Sequence, residues 1–86
     1  MTDQIGHNMT EYVINNFEHL NELTFQYKVK RDVWEKTDPL FKEDIDKQYE
    51  DIVKATICTD ISKNLACSYE DVIVFYEENN LKTLFG

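Results

Sequence analysis

Glycine occurs twice and proline once in 86 residues, so the chain has almost nothing from which to build the tight turns that close β-hairpins. An all-α fold follows as the expectation. Cysteine is also scarce: Cys58 and Cys67 stand nine apart, outside any CxxC pattern and with no secretory leader ahead of them, which points to a reducing, cytoplasmic setting. Bases are few, nine against 17 acids for a net charge of −8. That balance argues against nucleic acid or an anionic membrane as partner, because both demand a cationic surface. There is no glycine-rich phosphate loop, no Ser/His/Asp set and no Cys/His pair, and neither His7 nor His19 has acids or cysteines around it at metal-ligand spacing. No catalysis, cofactor or metal is expected from such a chain.

What the chain does have is apolar residues at helical intervals. Hydrophobic residues make up 42% and aromatics 13% of it, enough for one small core of marginal stability. Residues 1–9 are polar, include Gly6, and are expected to be a flexible N-terminus. From Thr10 the positions Val13, Phe17, Leu20, Thr24, Tyr27 and Trp34 alternate at four and three, with Arg31 in the remaining seam position. They predict a helix from about Thr10 to Lys36. Between Thr24 and Val29 the alternation of Phe25, Tyr27 and Val29 with Gln26 and Lys28 also fits a strand, with a break near Leu23; helix is preferred because a lone strand has no pairing partner.

Thr37-Asp38-Pro39 marks a boundary, since Pro fits the first helical turn, where its missing amide proton costs nothing. Phe41, Ile45, Tyr49, Ile52, Val53, Thr56 and Ile57 then give a well-formed apolar stripe flanked by acids. At Thr59-Asp60 the helix either restarts or runs through. Ile61 and Leu65 continue its apolar face up to the small residues Ala66-Cys67. Ser68 opens a last helix, from Tyr69 to about Glu78, and a reciprocal cap between Ser68 and Asp71 is expected there. Asn79-Asn80 is the expected stop, leaving an apolar C-terminal tail at 81–86. The domain proper is thus 10–80, a small bundle of three to four helices with a helix-turn-helix-like C-terminal half.

A DNA-reading helix-turn-helix puts its second helix in the major groove and needs cations there. From Ser68 to Asn80 the charged side chains are Glu70, Asp71, Glu77 and Glu78, with no Lys or Arg. Direct sequence-specific DNA binding is therefore not expected.

The stretch SYEDVIVFYEEN, notably Ser68-Tyr69, Phe75 and Glu77-Glu78-Asn79, followed by Leu81, Leu84 and Phe85, resembles the late-transcription coactivators of T-even-type phages. The resemblance covers about residues 55 to 80 and then the apolar end. It implies a small acidic helical adaptor that binds the β-subunit flap of host RNA polymerase and the phage sliding clamp, in a complex with the phage late sigma factor. It implies a polymerase-binding groove at Leu65, Tyr69, Val72, Phe75 and Tyr76, and a clamp-binding tail at Leu81, Leu84 and Phe85. Two departures from the family pattern are a short spacer before the tail and Lys82-Thr83 where an acid is expected. The alternative role suggested by charge alone is an acidic inhibitor, or DNA mimic, that blocks a host nucleic-acid-binding protein.

Overall fold

Two long helices joined by a short turn dominate the computed structural model, which describes residues 2–85, with side chains from residue 6 onward. Helix α2 spans Phe17–Thr37 and α3 spans Lys42–Leu65, separated by Asp38 and a single 3-10 turn, Pro39–Phe41. So short a link makes them antiparallel neighbours, and Arg31 stacking on Tyr49 shows the register across the pair. Helix α1, Thr2–Asn15, precedes α2, while α4, Tyr69–Glu78, and the one-turn α5, Lys82–Phe85, follow α3. Among the described residues every regular element is helical, as the shortage of glycine and proline anticipates.

The core is lopsided. Met9 and Val13 of α1, Leu20 of α2, Val53, Ile57 and Ile61 of α3, and Val72, Phe75 and Tyr76 of α4 are all buried together. These residues gather around the C-terminal half of α3. Beyond that end the α2–α3 pair runs on alone, which gives the molecule its extents of 47 × 21 × 18 Å. Two helices can cover only one face of each other, so apolar residues in this extension have to meet water.

Several boundaries differ from the sequence expectation, each for a local reason. The first helix starts at Thr2, ahead of the expected Thr10, and Met9 extends the Val13 stripe by one turn into the core. The first long helix breaks at Asn16, not near Leu23: the backbone there leaves helical geometry (φ −117°, ψ 21°), and the Asn16 side-chain amide donates to the Tyr12 carbonyl at 2.9 Å alongside the backbone amide. Residues 24–34 are helical throughout, and α3 passes through Thr59-Asp60 without interruption. Ala66 ends α3 in the left-handed conformation (φ 52°, ψ 43°), a site that glycine usually fills. Ser68 adopts the extended geometry of an N-cap, yet its hydroxyl makes no capping bond, so the expected reciprocal cap with Asp71 does not form. Asn80, also at positive φ, terminates the turn after α4.

The C-terminal segment is part of the domain. Leu81 and Phe85 are buried, the Phe85 ring lies 5.4 Å from that of Phe17, and the Tyr49 hydroxyl donates to the Phe85 carbonyl at 3.3 Å. Of the apolar residues described in this segment only Leu84 faces water, 53% exposed.

Candidate functional site

The apolar residues expected to form a partner groove on the last helix lie in the core instead. Val72, Phe75 and Tyr76 occupy the one apolar stripe of α4 and pack on α3, and burial pushes the Tyr76 hydroxyl up to about 12. Leu65 is half-buried and packs on the same core, leaving Tyr69 as the exposed member of the set. A ten-residue helix in so small a chain needs its whole stripe to stay attached. The same correction applies to the tail: Leu81 and Phe85 are core residues, and Leu84 alone is available at the surface.

Glu70, Asp71, Glu77 and Glu78 are exposed on α4, as a solvated acidic face would be. Lys54 of α3 pairs with Glu77, and Lys82 reaches Glu50 at 3.3 Å. The first pair interrupts the acidic row that a DNA-like surface would need, and both pairs fasten α4 and α5 to α3. Between them lies a polar cleft of about 290 Å³ in which both lysines are already paired and Asp51 is the remaining acid.

A second polar cluster joins three helices. The Tyr12 hydroxyl donates to Asp60 Oδ2 at 2.5 Å, and His19 Nε2 lies 3.5 Å from Asp60 Oδ1. Burial, with Asp60 beside it, pushes the Tyr12 hydroxyl up to about 12. His19 and Tyr12 are far from Asp60 in sequence, which is why their meeting left no local signal. Through Asp60 the cluster ties α1 and α2 to α3. Among the described residues no group of three or more His, Cys, Asp or Glu side chains is placed to hold a metal ion, and no helix is long and apolar enough to cross a membrane. Cys58 is fully buried, with its thiol pushed up to about 11 by that burial, and is inert as a nucleophile.

The surface that stands out is the two-helix extension. An apolar cleft of about 130 Å³ runs between α2 and α3, lined by Tyr27, Arg31 and Trp34 on one side and by Ile45, Tyr49 and Ile52 on the other. Arg31 forms its floor, with the guanidinium carbon 4.3 Å from the centroid of the Tyr49 ring. The Tyr49 hydroxyl is raised by burial against the lowering effect of that cation. Trp34 is 49% exposed at the rim, and the connecting turn carries Leu40 at 96% and Phe41 at 57%. Trp34 and Phe41 hold the same helical seam that the sequence marks, but past the end of the core they stay exposed.

The seam at Tyr27, Arg31 and Trp34 was legible in the sequence; that it opens into a cleft was not, because this depends on where α1 and α4 stop. Compared with known protein families, with characterised proteins and with solved structures, the chain matches none.

Proposed function

We propose that the chain is a non-enzymatic adaptor that docks a partner protein on the far half of the α2–α3 hairpin. The observation that carries this reading is the exposed apolar cleft at Trp34, with Leu40 and Phe41 also exposed in the turn that follows α2, in a chain otherwise rich in acids. Tryptophan, tyrosine and arginine are the side chains that most often dominate protein interfaces, and all three converge here. The resemblance to phage late-transcription coactivators supplies the partner: the β-subunit flap of host RNA polymerase, met inside the host cell. Lys30 and Arg31 at the cleft suit an apolar segment that carries acids of its own.

In this role the sliding clamp is the second partner and the late sigma factor a further component of the complex. Clamp contact through all three tail residues would cost the burial of Leu81 and Phe85, so the intact domain offers the clamp Leu84 alone. Polymerase docking is therefore the primary contact.

The test is a binding titration of purified bacterial RNA polymerase against the immobilised protein. Binding is expected for the parent chain and for Leu84→Ala. Trp34→Ala should weaken it by about 30-fold or more, the equivalent of a 2 kcal/mol interface anchor. Equal binding by parent and Trp34→Ala, or no binding at all, would count against the proposal.

A further inference from the structure

Helix α2 is apolar on two opposite faces. One, through Leu20, Thr24 and Tyr27, packs on α3. The other carries Phe25, Val29 and Val33, which recur every four residues and so advance by only about 40° per step around the helix. All three are exposed, Phe25 at 63%. A helix apolar on both sides is normally covered on both.

The charges bordering this outer stripe identify what covers it. Glu22 lies seven residues before Val29 and Lys36 seven residues after it, a spacing of two heptads that keeps all three on one face. Both charged side chains are exposed, and neither forms an ion pair among the described residues. If a second α2 is laid antiparallel across the first with the twofold axis at Val29, Glu22 of each copy comes level with Lys36 of the other. Phe25 comes level with Val33, and Val29 meets itself. A parallel alignment would set Glu22 against Glu22 and Lys36 against Lys36. Lys28 and Lys30 stand about a quarter-turn to either side of the stripe and stay in water.

We infer that two copies of this chain associate through the outer faces of their α2 helices, antiparallel and about a twofold axis at Val29. Such an interface is isologous and self-complementary, as closed twofold dimers are. It uses the side of α2 away from the cleft, so each copy keeps its own docking surface and the pair becomes a bivalent adaptor. One helix face from each copy makes a small interface, and the expected dissociation constant is on the order of 10 to 100 µM.

Sedimentation velocity from about 5 to about 500 µM covers that range. The 10.2 kDa monomer should give way to dimer as concentration rises. Val29→Glu puts like charges on the axis and should hold the chain monomeric. Glu22→Lys and Lys36→Glu should each weaken the dimer by about tenfold, since each sets like charges face to face, while the two combined should restore it. These positions are solvent-facing, and circular dichroism of each variant confirms that the fold is kept. A chain monomeric throughout, a dimer indifferent to Val29→Glu, or a charge swap that fails to restore association would overturn the inference.

Discussion

Replacing Phe85 by alanine asks whether the last helical turn belongs to the core. The side chain is 2% exposed and packs against the Phe17 ring at a centroid distance of 5.4 Å. Truncating a buried Phe costs about 3 to 5 kcal/mol, of which the aromatic pairing accounts for roughly 0.5 to 1.5 kcal/mol. Because α5 is four residues long at the end of the chain, its backbone can relax after truncation, which favours the lower figure of about 3 kcal/mol. An 86-residue domain has in all about 4 to 13 kcal/mol of stability, so the loss is a large share of it. In thermal melting it should appear as a fall of roughly 12 to 24 °C. The neighbouring Leu84→Ala is the control: its side chain is exposed, and its effect should stay within about 0.5 kcal/mol. Melting curves that coincide for the two variants would refute the packing of α5 and return Phe85 to the surface.

Three further outcomes are expected. Ala66→Gly should stabilise the domain by about 1 kcal/mol in urea titration, because Ala66 sits at φ 52°, where a Cβ is penalised. In the native protein a thiol reagent should label half-buried Cys67 well before Cys58, whose thiol burial holds at about 11; equal rates read by mass spectrometry would show that the core around Cys58 is open. Asp46 beside Glu35 raises the Glu35 carboxyl above its usual range. A raised folded-state value means stability present below the ordinary carboxylate range and lost as pH rises through the folded value. Glu35→Gln should therefore raise the melting temperature at neutral pH and match the parent in acid.

Helix type and most helix ends were legible because they depend on neighbours in sequence: Pro39 at a helix start, Asn79-Asn80 after α4, and the 3.6-residue recurrence of Tyr49, Val53 and Ile57. Met9 was harder to place, since one apolar residue in a polar segment shows its role only once its helix packs on the core. The site was less legible still. Val72 and Phe75 have the same periodicity whether they face a partner or the core, and only the position of α3 decides between them. Trp34 and Val53 both continue apolar stripes that face the partner helix, yet α1 and α4 cover one and not the other. The tail shows the same limit, for Leu81 and Phe85 point inward and Leu84 outward from a single turn.

The central claim is that the exposed cleft at Trp34 is where the partner docks. Trp34 is the one tryptophan in the chain, so biosynthetic labelling with 5-fluorotryptophan gives a single fluorine resonance at the site in question. Titration with unlabelled RNA polymerase should broaden and shift that resonance as the half-exposed indole is buried, and in Leu40→Asp, which puts a charge at the exposed apolar turn and is expected to weaken docking, the change should be much smaller. A resonance that stays sharp and unshifted while the protein demonstrably binds polymerase would place the contact elsewhere and contradict the account.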